Sequence, residues 1–280
     1  MSPHGPVGTA LAVPGKRGVP SAPLLFITGA SSGIGQALAL RFHAAGYRLA
    51  LVARRAAEVQ AWATSQGFEP GRFAVYAADV RDMAAISGAG HACIGAQGLP
   101  DVVIASAGIS VGMDTAVFDD LEVMRAVFET NNLGTAATFQ PFVGAMCERG
   151  SGRLVGIASV SAIRGLPGHG AYCASKAGVV AYCESLRGEL RTSDVRVVTL
   201  LPGYIDTPLT RNNPYGMPFL MPVEAFADRA FAAIVAGTSY RVIPWQMGVV
   251  AKLLRLLPNA LFDKLLAGRS RKPRQEKSKA

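Results

Sequence analysis

Thr28-Gly29-Ala30-Ser31-Ser32-Gly33-Ile34-Gly35 follows the apolar run Leu24–Ile27 and opens a segment of helical period, Gly33–Ala45. Glycines at these positions permit a tight strand-to-helix turn and let backbone amides and a helix N-terminus approach a pyrophosphate. Packing alone can also select such a turn. Its place in the first βα unit favours the phosphate-binding reading.

Outward from this turn, short apolar runs alternate with helical segments. The strand candidates are Leu24–Ile27, Arg48–Val52, Arg72–Ala77, Asp101–Ala105, Arg153–Ala158, Arg196–Leu201 and Arg241–Ile243. Between them lie helix candidates Gly33–Ala45, Ala56–Gln66, Met83–Gln97, Leu121–Arg149, Tyr172–Arg191 and Pro222–Ala236. This alternation predicts an α/β fold, a doubly wound parallel sheet of about seven strands flanked by helices. Its ligand site is expected beyond the carboxyl ends of the strands.

The 280 residues, half of them apolar, suffice for one large core. The net charge of +9 suggests nucleic acid until its location is counted. Arg269, Arg271, Lys272, Arg274, Lys277 and Lys279 stand against Glu276 alone, and with Lys16 and Arg17 they carry most of the excess. The high charge therefore belongs to the tails, and a basic DNA-reading face is not expected. Residues 1–23 lack the basic start and apolar run of a signal peptide, and their prolines suit a mobile extension. The division expected is a mobile extension over 1–23, one catalytic domain over 24–245, an amphipathic helical extension over 246–268 and a basic disordered tail over 269–280. Cys93, Cys147, Cys173 and Cys183 form no CxxC pair, so reduced thiols and a cytoplasmic setting are the default. His4, His43, His91 and His169 have no partners at metal-ligand spacing, and no metal is expected.

The segment Thr28–Gly35 resembles the TGxxxGxG cofactor loop of the short-chain dehydrogenases/reductases, and further motifs of that family recur in order from about Leu24 to Ile243. The resemblance implies a single Rossmann-type domain whose cofactor loop comprises Gly29, Ser31, Ser32, Gly33, Ile34 and Gly35. It places Asp79-Val80 beside the adenine, although Asp79 could equally be an N-cap, a role Asp82 also suits. The second strand ends without the acid that holds NAD ribose hydroxyls, and Arg54 and Arg55 suit a 2′-phosphate instead. NADP(H) is therefore expected over NAD(H), with Arg54 the principal contact. The family's NNAG element departs here to Ala105-Ser106-Ala107-Gly108; Ala107 and Gly108 still allow close cofactor approach, and Ser106 only partly replaces the lost amide. Pro202, Gly203, Ile205 and Thr207 resemble the family's PG element near the carboxamide, where Gly203 is expected to free the backbone to turn.

Tyr172 and Lys176 stand four residues apart, on one face of a helix. A carbonyl that accepts hydride develops alkoxide charge that must be stabilised and protonated. Tyrosine ordinarily titrates near ~10, so a neighbouring cation has to favour its phenolate. By resemblance, Tyr172 is the proton donor, Lys176 assists it and holds the nicotinamide ribose, and Ser159 hydrogen-bonds the substrate oxygen. Asn131 positions a water in the relay by the same resemblance. Ser161 and Asn132 are the adjacent alternatives.

The implied activity is NADP(H)-dependent carbonyl–alcohol interconversion, with reduction as the expected direction. The rival from another class is a silent dinucleotide-binding sensor or scaffold of the same fold. Ile109, Val111, Met113, Ile163, Leu166, Tyr204, Met217, Phe219, Leu220 and Met221 suit a bulky apolar ketone or aldehyde, or simply pack on one another. The resemblance implies a homo-oligomer paired through Leu121–Arg149 and Tyr172–Arg191. The apolar segment after Met247, followed by the basic run, suits peripheral contact with an anionic membrane, a dimer contact or a cover for the substrate loop.

Overall fold

The computed structural model describes residues 22–211, 213–268 and 270–274. Apart from Ala22 and Pro23, the expected N-terminal extension lies outside the described residues, as do Arg269 and residues 275–280 of the expected tail.

Seven short runs form one parallel sheet: β1 (Leu24–Thr28), β2 (Arg48–Ala53), β3 (Phe73–Ala77), β4 (Val102–Ala105), β5 (Gly152–Ile157), β6 (Val195–Pro202) and β7 (Tyr240–Ile243). The order is β3-β2-β1-β4-β5-β6-β7. Alternation along each strand feeds two cores, which explains why the strands read as continuous apolar runs. Leu25, Ile27, Leu49, Leu51 and Ile104 pack on one face, beneath α1 (Gly33–Ala44), α2 (Ala56–Ser65) and α7 (Val223–Val235). Leu24, Phe26, Val52 and Val103 pack on the other, beneath α3 (Met83–Gln97), α5 (Gly134–Arg149) and α6 (Gly170–Glu189).

The single helix expected over Leu121–Arg149 is three segments. α4 (Asp120–Phe128) runs through a π-helical turn, Glu129–Leu133, into α5. The Thr130 and Thr135 hydroxyls donate to the carbonyls of Ala126 and Asn131, at 2.8 and 2.7 Å, across this widened turn. Such turns commonly mark functional sites. Here the turn buries Asn131 completely.

The extension is likewise two helices, α8 (Trp245–Leu256) and α9 (Asn259–Leu266), because Pro258 cannot continue α8. Arg164 holds the corner: it donates to the carbonyls of Leu254 and Leu257 and to Asn259 Oδ1, and stacks 3.7 Å above Phe262. Residues 270–274, expected within a disordered tail, lie against the body, with Arg274 bridged to Gly112. Among the described residues no helix is long and apolar enough to cross a membrane.

Candidate active site

The strand order reverses between β1 and β4, and the crevice at their carboxyl ends is where doubly wound sheets bind ligands. A cleft of about 490 Å³ lies there. The glycine-rich loop, with Gly29, Ser31, Ser32, Gly33, Ile34 and Gly35, forms one wall. Arg54, Arg55, Asp79 and Val80 line one part of it. Ala107, Gly108, Ser159, Tyr172 and Lys176 also line it, together with Pro202, Gly203, Ile205 and Thr207. Asn131 does not line the cleft; its side chain touches Ile109 and Ser175 behind it.

Gly29 and Gly33 adopt φ of 72° and 54°, which disfavours any residue with a Cβ. A Cβ on Gly35 would lie 2.1 Å from the Gly29 carbonyl oxygen, so the turn closes only with glycine there. At the N-terminus of α1 the Ser32 side chain makes no capping bond and the first turn carries no acid. The helix end therefore presents amides and positive field toward the cleft, as an anion requires. Arg54 is exposed and lies 3.8 Å from Asp79, whereas Arg55 is committed to Glu58 at 2.6 Å. Arg81, which sequence reasoning missed, also lines the cleft and grips Asp79 at 2.7 Å. That bond holds the Asp79 carboxyl below the usual carboxylate range. The capping role open to Asp79 belongs to Asp82, which accepts from the amides of Ala84 and Ala85.

The departure from NNAG is compensated by two residues elsewhere in the chain. Thr28 Oγ1 accepts from the amides of Ser106 and Ala107, at 3.2 and 3.4 Å. Asn131 Oδ1 accepts from the Ile109 amide at 2.9 Å, while its Nδ2 donates to the Ile109 carbonyl at 3.0 Å and to Ser175 Oγ at 2.9 Å. Its side chain is thus spent on fixing the loop after β4. Asn132, the alternative, donates instead to the Ser175 carbonyl. Gly203 differs from expectation: its backbone is not left-handed, and what excludes a side chain is Met247, whose Cγ would lie 2.8 Å from an added Cβ.

Ser159, just past the end of β5, and Tyr172, on the first turn of α6, both line the cleft. Lys176, one turn further, is buried and donates to the Ile157 carbonyl at 2.7 Å, its ammonium 5.9 Å from the centre of the Tyr172 ring. Burial pushes the Tyr172 phenol up, and the nearby Ser159 hydroxyl opposes this. Burial also pushes Lys176 down to about 8. Desolvation thus disfavours both charged forms. Ser161 lies one turn past Ser159, which accepts the Ser161 amide hydrogen.

Around this centre, His169, Tyr215 and Tyr204 form a ring cluster with centroid spacings of 5.7 and 6.3 Å. Tyr215 gave no sequence signal, because it sits in a loop without a motif. Burial raises its phenol to about 12. Of the expected apolar walls, Met113 and Met221 are buried in hydrophobic clusters, whereas Phe219 and Leu220 stay exposed. Among the described residues no three histidine, cysteine or acidic side chains converge.

Residues 24–216 match the family model described as short chain dehydrogenase. An uncharacterized oxidoreductase of Myxococcus xanthus is 38% identical over 247 residues, 85% of this chain and 93% of that protein. The dehydrogenase/reductase SDR family member 7B of Bos taurus is 34% identical over 272 residues, 91% of this chain and 83% of that protein. Among solved structures, a short chain dehydrogenase from Burkholderia cenocepacia J2315 in complex with NADP is 25% identical, with a TM-score of 0.74 over 88% of this chain and 98% of that one. A 3-ketoacyl-(acyl-carrier-protein) reductase from Brucella melitensis complexed with NADH is also 25% identical, with a TM-score of 0.71 over 79% and 94%. The family match over most of the chain and the identity to these relatives show that the chain belongs to the short-chain dehydrogenase family of oxidoreductases.

Proposed function

We propose that the protein reduces a bulky apolar ketone or aldehyde with NADPH, and runs the reverse oxidation with NADP⁺. The observation that carries the reading is the meeting of Ser159, Tyr172 and Lys176 in a cleft whose lining also includes the Arg54 and Arg81 guanidiniums. The donors present fit a dinucleotide: a side-chain-free turn and an open helix end suit the pyrophosphate. Arg54, 60% exposed and only weakly paired, suits a 2′-phosphate, and β2 ends at Ala53 with no acid to repel it.

When bound, the nicotinamide supplies or accepts the hydride. The chain's own residues manage the oxygen and its proton. Ser159 donates a hydrogen bond to the substrate oxygen, and Tyr172 transfers its phenolic proton to the developing alkoxide. Lys176 as ammonium stabilises the phenolate left behind. Asn131, with its side chain engaged on Ile109 and Ser175, acts by holding this frame.

Ile109, which lines the cleft, and the Tyr204 and Tyr215 rings beside His169 support an apolar substrate. Two contacts extend the reading. Phe118, Leu121, Met124 and Leu133 are exposed on and beside α4 and suit a second copy of the chain, which sedimentation of a Leu121→Glu variant would test. Leu253, Leu256, Leu261 and Leu265 are exposed on α8 and α9 beside Lys252, Arg255 and Lys264, and suit an anionic bilayer surface. Flotation with anionic vesicles that is unchanged by Leu253→Glu together with Leu256→Glu overturns the bilayer contact.

The central test is Tyr172→Phe. NADPH binding is expected to persist while turnover on a panel of apolar ketones and aldehydes disappears. Retained turnover would remove Tyr172 from the proton path.

A further inference from the structure

The segment 270–274 runs across three loops that follow β4, β5 and β6, all on the cleft side of the sheet. Gly112, in the first loop, meets the strap so closely that a Cβ there would lie 2.2 Å from the Lys272 carbonyl oxygen. Gly168, in the second, leaves room for the Arg271 side chain, which a Cβ would meet at 3.0 Å. In the third, the Leu209 carbonyl accepts from Lys272 Nζ at 3.4 Å. Arg274 latches the far end through two bonds, 2.6 and 3.0 Å, to the buried carboxylate of Asp120. Asp120 in turn accepts from the Asp114 amide, so the latch is tied into the first loop.

Lys272 is the unusual member. Its ammonium is half-buried, reaches Ser110 Oγ at 3.1 Å, and has no carboxylate within ion-pair distance among the described residues. Ser110 adjoins Ile109, and both Ile109 and Leu209 line the cleft. The ammonium also bears on His169, the residue capping the helix of Tyr172. Burying a cation against only neutral acceptors is costly, and a counter-anion offsets that cost. Burial accordingly lowers the Lys272 ammonium's pKa.

We infer that the strap 270–274 is the outer wall of the substrate cleft and that Lys272 binds an anionic group, a carboxylate or phosphate, carried by the substrate away from its carbonyl. The inference rests on the reading of the site as a carbonyl reductase. It narrows the substrate from any bulky apolar carbonyl compound to an amphiphilic one with an anionic end.

The test is calorimetric titration of the full chain, saturated with NADP⁺ so that the cofactor's own phosphate sites are filled, with octyl phosphate and with 1-octanol. Octyl phosphate is expected to bind about tenfold or more tightly than 1-octanol. Lys272→Met abolishes that preference and Lys272→Arg retains it. Gly112→Ala, whose backbone is not left-handed, displaces the strap and abolishes the preference without touching the ammonium. Equal affinities in the native chain, or a preference that survives both Lys272→Met and Gly112→Ala, overturn the inference. NADPH affinity is measured on the same preparations before NADP⁺ is added. Its absence counts against the cofactor reading, whereas normal NADPH binding with no octyl phosphate preference counts against the strap subsite alone.

Discussion

Replacing Asn131 by Ala separates the two roles that an asparagine at this position can have. Its carboxamide makes three hydrogen bonds, two with the Ile109 backbone and one with Ser175 Oγ. Ser175 keeps its bond to the Tyr172 carbonyl after truncation, so the Ile109 amide and carbonyl are the groups left without partners. An unsatisfied buried polar group costs about 1–3 kcal/mol, so two predict a loss of roughly 2–6 kcal/mol. At about 2–4 °C per kcal/mol for a domain of this size, Tm falls by roughly 4–24 °C. Urea and thermal melts of the apo protein measure this without substrate or cofactor. Turnover is expected to fall as well, because the loop carrying Gly108 and Ile109 loses its anchor beside Lys176. A destabilisation under about 1 kcal/mol accompanied by abolished turnover would refute the reasoning, since it would assign Asn131 to the chemistry and not to the frame.

Arg54→Ala is expected to weaken NADPH binding by about ten- to a hundredfold, the value of a charge-assisted hydrogen bond, with NADH binding nearly unchanged. Fluorescence titration with both cofactors checks it, and equal losses for the two would move the 2′-phosphate contact elsewhere. Reduction is expected to decline as pH rises through about 8, because Lys176 is an ammonium below its lowered pKa and neutral above it. The pH profile of kcat/KM reads this. Lys176→Arg carries a guanidinium that does not lose its proton there, so any residual activity of that variant should lack the decline.

The sheet was legible because its inner strands are buried on both faces and say so as apolar runs, Leu24–Ile27 and Leu49–Val52 among them. Helix ends were legible where a local rule set them, as with Asp82 capping α3. The break in the long helix was not, because nothing between Leu121 and Arg149 breaks a helix at Asn131. The π turn is imposed by tertiary demands, the carboxamide's reach to Ile109 and the close approach of Gly134 to Val80, where a Cβ would lie 2.8 Å from Val80 Cγ2. Gly203 makes the same point at smaller scale. A glycine after a proline reads as a turn, yet its reason is Met247, forty-four positions away in sequence and brought close by β7 and α8. Motif residues were legible since each stands at a fixed place relative to one strand end. Tyr215 and Lys272 answer to distant loops, Tyr215 to His169 and Lys272 to Ser110 and Leu209, so no spacing along the sequence encodes them. That difference bears on where specificity resides. On the proposed function, the parts of the site readable from motifs are those the reaction uses, whereas the parts visible only once the chain is folded are those that set which substrate it takes.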